Sequence, residues 1–291
     1  MSGPECCENP PVTSSGGESG EIKQIASLKS YVSGNPGSKL AVLLISDVYG
    51  YEAPKLRKIA DKLASAGYYA VVPDFFFGDP FIPKTQLQEW LKNHEPLAVE
   101  FAKPVIHALQ EKGISKIGAA GFCWGAKVVV ELAKDADIQV AALLHPTFVT
   151  LDDIKGVKIP VAILGAEFDK ISPPELVKQF EAALQARPEV DHFVKIFPGV
   201  SHGWTVRYRD EDVTAVKSAQ EAHQDLVDWF DKIAYAGYYA VVPDFFFGDP
   251  FIPKTQPQEC WGCGSDQPNG SILPRPGPDM ELKDANYKPT K

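Results

Sequence analysis

A chain of 291 residues with 44% hydrophobic content is long enough to bury one large core. Its net charge of -9 argues against nucleic acid and anionic membrane as partners, because both select basic surfaces. No apolar run is long enough to span a bilayer, and Met1-Ser2-Gly3-Pro4-Glu5-Cys6-Cys7 offers neither a basic n-region nor an apolar h-region, so a cytoplasmic location is expected.

The first residues, to about Glu21, are rich in Gly, Ser and Pro and are expected to be a flexible segment spanning 1–21. Leu40 to Ser46 then reads as a near-continuous apolar strand, followed by a helix over Ala53–Ala66 and a strand over Tyr69–Val72. Gly78 to Pro83 follows a strand end and is expected to form a lid with Phe81 as its apolar tip. A helix over Leu97–Gly113 precedes a short buried strand, Lys116–Ala120, and a helix over Ala126–Lys134. Strands are expected at Val140–Leu144, Ile159–Gly165 and His192–Phe197, with helices at Pro174–Ala186 and Val213–Ile233. The last helix carries Val213, Val216, Ala219, Ala222, Leu226 and Phe230 at helical spacing and should close the domain. Buried strands alternating with helices mean an α/β fold, a mostly parallel sheet covered on both faces, over residues 22–233.

Gly121-Phe122-Cys123-Trp124-Gly125 lies between the strand and the helix in the middle of this pattern. A strand that turns sharply into a helix needs small residues on both sides of its apex. This spacing is the nucleophile elbow, with cysteine where serine is usual. A thiol at a helix N-terminus is favoured as thiolate by the dipole and the open N–H groups. The bland alternative is a buried structural cysteine between two glycines.

The partners of such a nucleophile follow it in the order acid, then histidine. Asp169 falls just beyond the strand Ile159–Gly165, and His202 just beyond His192–Phe197, on the rim where α/β sheets bind ligands. Their roles would be acid–base catalysis by His202 and fixing of its tautomer by Asp169. Glu167 is the alternative carboxylate. His94, His107, His192 and His223 read as surface or structural, whereas His145 ends a strand and could reach the rim.

Gly121 to Gly125, Gly165 to Asp169 and Ser201-His202-Gly203-Trp204 resemble the dienelactone hydrolase family. Leu44-Ile45-Ser46-Asp47-Val48-Tyr49-Gly50 and Val72-Pro73-Asp74-Phe75-Phe76 are most similar to its plant-type branch, some members of which are named endo-1,3;1,4-β-D-glucanase. The resemblance covers roughly residues 20–233 and implies an α/β-hydrolase fold with a Cys123-His202-Asp169 triad acting on small esters or lactones, as in carboxymethylenebutenolidases. It implies neither metal nor cofactor. Bacterial relatives carry a glutamate in place of Asp47 that helps gate the thiol, and the shorter side chain puts that gating in doubt here. They also bind the substrate carboxylate with arginines. Arg207 is displaced by one position from that spacing, with Arg209 and Lys170 as further cations at the rim. The fold implies an oxyanion hole from the N–H groups of Trp124 and Val48. Asp47, Tyr49, Arg207 and Trp204 are the candidates to line the substrate pocket, and Tyr51 stands equally as a wall or as packing.

Two features fit none of this. Residues Ala236–Gln256 repeat Ala66–Gln86 without a difference, although the first copy already supplies a core strand. Structural repeats diverge and stack in threes or more, so residues 234–291 read as a tail of recent duplication or a faulty gene model. Cys260-Trp261-Gly262-Cys263 is a lone C-x-x-C that only the remote Cys6-Cys7 pair could complete as a zinc site, and it reads as incidental. Five cysteines without a regular framework suit a reducing compartment.

The leading expectation is a cysteine-nucleophile hydrolase of small-molecule esters or lactones, a monomer or weak dimer without cofactor. The alternatives are a β-glucan glycosidase, for which no pair of flanking carboxylates is evident, and a non-catalytic small-molecule-binding relative.

Overall fold

A computed structural model describes residues 10–11, 19–83, 86–94 and 99–236. The chain divides into two units, Met1–Val242 and Pro243–Lys291, and only the first contains described residues. The second copy of the repeat beyond Ala236, both Cys pairs and most of the N-terminal segment lie outside them.

Strand β1 (Glu21–Ile25) and strand β2 (Leu28–Ser33) form an antiparallel hairpin. Then come β3 (Leu40–Ile45), helix α1 (Pro54–Ser65), β4 (Tyr69–Pro73), the short helix α2 (Leu87–Asn93) and α3 (Val99–Glu111). The second half runs β5 (Lys116–Phe122), α4 (Trp124–Asp135), β6 (Val140–Leu144), α5 (Leu151–Gly156), β7 (Val161–Phe168), α6 (Pro174–Gln185), β8 (His192–Ser201) and α7 (Val213–Ala236). The eight strands form one sheet in the order β1-β2-β4-β3-β5-β6-β7-β8. Strand β2 is antiparallel to its neighbours, and every pairing from β4 through β8 is parallel.

Parallel strands buried on both faces read as continuous apolar runs, and β3 (Leu-Ala-Val-Leu-Leu-Ile) is such a run. Its residues alternate between two cores. Leu43 and Ile45 join Ala119, Leu143 and Ile163 beneath α3, α4 and α6, where Ile106, Val128, Leu132 and Phe180 pack. Val42 and Leu44 join Ala120, Ala142 and Leu164 on the opposite face, closed by Leu56 and Ile59 of α1 and Leu226 and Phe230 of α7. Helix α1 presents Leu56, Ile59, Ala60 and Leu63 on one stripe, with proline in its first turn, where the missing N–H costs nothing.

The structure extends and corrects the expected elements. The β1–β2 hairpin and helices α2 and α5 were not foreseen. Strand β7 runs past its expected end at Gly165 through Glu167 and Phe168, with an irregular register between Ala166 and Phe168. The domain boundary after residue 233 falls inside α7, which continues to Ala236. Phe81 is buried rather than the tip of a lid. It packs edge-on to Tyr49 and Trp90, and the exposed apolar residues nearby are Phe77 and Ile82. Among the described residues no helix is long and apolar enough to cross a membrane.

Candidate active site

Strand β5 ends in Gly121-Phe122, and Cys123 turns the chain into α4 with φ 52° and ψ -110°. A side-chain-bearing residue held at positive φ is strained by about 1–3 kcal/mol and persists only where its surroundings over-determine it. Here they do. A Cβ on Gly125 would lie 2.2 Å from the Ile45 carbonyl oxygen, and one on Gly121 would lie 2.4 Å from the Gly125 carbonyl oxygen. The first turn of α4 therefore presses against the end of β3, and only glycine fits at both positions. The Cys123 N–H donates to Leu144 O at 3.0 Å, and the Cys123 carbonyl accepts from Thr147 N at 3.0 Å and Ala126 N at 3.1 Å. The thiol itself is buried.

Asp169 and His202 meet across the ends of β7 and β8. His202 Nδ1 donates to Asp169 Oδ2 at 2.7 Å, while Asp169 Oδ1 accepts from the backbone N–H groups of Ile171 (2.8 Å) and Ser172 (3.0 Å). Burial works to raise the Asp169 pKa, but His202 and the two N–H donors outweigh it and hold the carboxyl below its ordinary value. For His202, burial works downward, and the charge on Cys123 and the bond to Asp169 carry the imidazole up to about 9. With Nδ1 committed, Nε2 is the ring atom left for the thiol. Glu167, the alternative acid, instead accepts from Gly199 N at 2.6 Å on the exposed side of the sheet.

Two of the expected pocket residues engage each other. Arg207 Nε donates to Asp47 Oδ2 at 2.7 Å, both side chains are buried, and the guanidinium lies 5.1 Å from the Tyr49 ring centre. Burial pushes the Asp47 carboxyl upward and the Cys123 charge adds to it, while Arg207 opposes both. Asp47 Oδ1 also accepts from Tyr49 N at 3.0 Å, which shapes the loop bearing Val48. Val48 and Trp124, the expected oxyanion donors, are both buried. Val48 O accepts from Phe81 N at 2.8 Å, and the Trp124 indole donates to His94 O at 3.0 Å and packs on Phe76 at 4.8 Å. Phe76, Trp90 and His94 complete an aromatic cap over α4's first turn, with Trp90 and His94 stacked at 4.3 Å. Trp204 packs beneath the rim against His145 and Phe197, each at 5.3 Å. Tyr51 is buried on the α1 face of the sheet, and Lys170 and Arg209 are exposed.

Sequence reasoning placed His145 within reach of the rim but missed what it and His223 hold together behind His202. His145 Nε2 is 2.7 Å from Thr205 Oγ1, and its ring stands edge-on to His202 at 5.1 Å. His223 of α7 donates from Nε2 to Thr205 O at 2.8 Å. Thr205 is thus held from the loop after β6 on one side and from α7 on the other, three residues past His202. Nothing in local patterning pointed to this, since His223 sits on an ordinary amphipathic helix.

Both supporting histidines are kept neutral, chiefly by burial; His145 lies well below its usual range and His223 falls to about 4. An unfolded chain takes up these protons near pH 6.5 and the folded one only lower, so their contribution to stability is complete above pH 6.5 and declines as pH falls toward about 4. For His223 the loss is on the order of 2 kcal/mol between about pH 7 and about pH 4.5. Urea unfolding at the two pH values should show His223→Gln, which keeps a donor for Thr205 O, losing less stability than wild type. Equal losses would show that His223 is not the acid-sensitive group.

The profile of the dienelactone hydrolase family matches residues 28–234. The chain belongs to the dienelactone hydrolase family, which indicates a hydrolase acting on ester or lactone bonds. It is 47% identical over 193 residues to an endo-1,3;1,4-β-D-glucanase of Zea mays, an alignment covering 64% of this chain and 63% of that one. A carboxymethylenebutenolidase homolog of Homo sapiens is 31% identical over 222 residues, covering 73% of this chain and 91% of the human protein. Among solved structures, a dienelactone hydrolase-like promiscuous phosphotriesterase from metagenomic libraries superposes with a TM-score of 0.58 at 17% identity, covering 74% of this chain and 97% of that one. A Thermogutta terrifontis esterase with bound propionate gives 0.52 at 16%, covering 72% and 94%. Both share the α/β-hydrolase fold found here. The dienelactone hydrolase match begins at β2 and ends within α7, so it spans every element that carries a candidate site residue.

Proposed function

We propose that this dienelactone hydrolase family member cleaves small esters or lactones through Cys123 as nucleophile, His202 as acid and base, and Asp169 as the group that orients it. The observation that carries the reading is the strained Cys123 elbow at the N-terminus of α4 beside a buried His202–Asp169 pair bonded at 2.7 Å.

In the first step the Cys123 thiolate attacks the substrate carbonyl carbon. A C–S bond forms and the carbonyl π pair moves onto oxygen, where the N–H groups of Val48 and Trp124 receive it. Collapse expels the alkoxide, which takes the proton from His202 Nε2. Water then attacks the thioester, giving its proton to His202, and the C–S bond breaks with its electrons returning to sulfur. The acid leaves; from a lactone, acid and alcohol remain one molecule. Asp169 stabilises the imidazolium throughout. The reaction needs no cofactor, and a monomer or weak dimer in the cytoplasm would suffice for it.

The maize relative's name suggests β-glucan instead. Glycosidases need two carboxylates facing a sugar, whereas at this site Asp47 is bonded to Arg207 and Asp169 to His202. Ester chemistry is therefore favoured.

Iodoacetamide provides the test. One equivalent of adduct, mapped by peptide mass to Cys123, is expected to abolish release of p-nitrophenol from short p-nitrophenyl esters. Unchanged turnover by protein fully alkylated at Cys123 would exclude the thiol as nucleophile.

A further inference from the structure

Thr147 touches the candidate nucleophile twice. It lies on the loop after β6, a segment bent by positive φ at His145 (38°) and Phe148 (62°), and is 1% exposed. Its N–H donates to the Cys123 carbonyl at 3.0 Å, and its Oγ1 lies 3.3 Å from Cys123 Sγ. The backbone bond fixes the distance between loop and elbow, so the hydroxyl is held against sulfur rather than merely near it. Against a thiol either atom could donate. A thiolate has no proton, so against it only the hydroxyl can.

We propose that Thr147 is a further catalytic residue, its hydroxyl donating a hydrogen bond to the Cys123 sulfur and so stabilising the thiolate both at rest and as the leaving group of deacylation. The proposal rests on Cys123 being the nucleophile. Deacylation returns the C–S bonding pair to sulfur when water has added to the thioester, and a donor already aimed at that atom lowers the barrier to its departure. In acylation the same bond works weakly in the other sense, since sulfur gives up charge as it attacks. Loss of the hydroxyl should therefore slow deacylation more than acylation, and acyl-enzyme should accumulate.

The charged and titratable groups facing the sulfur are His202 from the loop after β8, and Asp47 after β3 with its ion-pair partner Arg207. None of them is altered by a change at Thr147, so a shift in thiolate formation can be assigned to the lost donor. Hydrogen bonds to charged groups contribute enough for roughly a tenfold change in the thiolate equilibrium.

The test compares wild type with Thr147→Val, Thr147→Ala and Thr147→Ser in the full chain. The pH midpoint of Cys123 alkylation by iodoacetamide, read by peptide mass, is expected to rise by about one unit in the valine and alanine variants and to stay near wild type in serine. With p-nitrophenyl acetate, valine and alanine should lower kcat and KM together and show a burst of p-nitrophenol, and serine should not. Alanine serves if buried valine prevents folding. An unchanged or lower midpoint without the hydroxyl, or a serine variant that behaves like valine, would overturn the assignment. The alkylation midpoint needs no turnover, so it judges Thr147 separately; full turnover by Cys123→Ala would sink the nucleophile reading instead.

Discussion

Cys123→Ala is expected to lower ester turnover by about 10⁴-fold or more, leaving only what the oxyanion donors and binding provide. The fold should survive, because the strain at φ 52° is imposed by Gly121 and Gly125 packing against α4 and β3 rather than by sulfur. Alanine tolerates that backbone no worse than cysteine. The removed atom is small and buried, so the thermal midpoint should fall by only a few degrees, in line with about 1 kcal/mol for a lost sulfur contact. Cys123→Ser should lie between alanine and wild type. In the proposed mechanism its hydroxyl would need His202 to remove a proton that a thiolate lacks, and the bulk of the rate should remain missing. The measurement is p-nitrophenol release at saturating ester, normalised to folded protein by circular dichroism. Turnover in the alanine variant equal to wild type would end the covalent reading, and the same pair of proteins should then be assayed on β-glucan. Retained β-glucan cleavage in Cys123→Ala would place the maize relative's named chemistry in a different set of residues.

Much of the fold could be read from the sequence because its central strands are apolar on both faces. Leu40–Ile45 and Val140–Leu144 have no polar position to blur their limits, and the helices between them show apolar stripes three and four residues apart. The hairpin β1–β2 was illegible for the opposite reason. Glu21, Lys23, Gln24 and Lys29 break up its pattern, and its place is set by pairing with β4, a contact between residues as far apart as Ser30 and Pro73 that local patterning does not encode. At the site, the elbow was legible because its glycine spacing is a steric requirement, as the close approach of Gly125 to Ile45 O explains. Asp169 and His202 were placed by strand order, but their bond depends on which way each loop turns after its strand, and the bond of Glu167 to Gly199 depends instead on the irregular end of β7. His145 was marked only by its place at a strand end, and Thr147 and His223 gave no sequence signal at all. Their roles come from three segments converging on one turn, and a threonine in a loop or a histidine on a helix looks the same with or without such neighbours. Phe81 illustrates the reverse error. A phenylalanine in a Gly/Pro-rich loop suggests an exposed tip, yet Phe81 N bonds to Val48 O and the ring is drawn beneath the cap.

Asp169→Asn is expected to lower kcat/KM by about 10³- to 10⁴-fold while keeping the fold, since the amide matches the carboxylate in size and the turn at Ile171 and Ser172 can still bond to its oxygen. Two effects combine. The amide no longer demands a proton on His202 Nδ1, so the ring can adopt the tautomer that leaves Nε2 protonated and unable to serve as base. The imidazolium also loses its counter-charge. In wild type the imidazole stays protonated up to about 9, held there against burial by Cys123 and Asp169. The proton needed by the leaving alkoxide is therefore available through neutral pH, and kcat/KM should fall as pH rises past about 9. Without Asp169 that alkaline limb should move down from about 9, only part of the way, because the Cys123 charge still supports the imidazolium. The stability effect has the same direction. A folded-state pKa above the unfolded value contributes fully below about 6.5 and is lost as pH rises through about 9, so the wild-type advantage over Asp169→Asn in urea should shrink across that window. A variant with an unmoved alkaline limb would show that the limb belongs to another group, and that Asp169 acts on geometry alone.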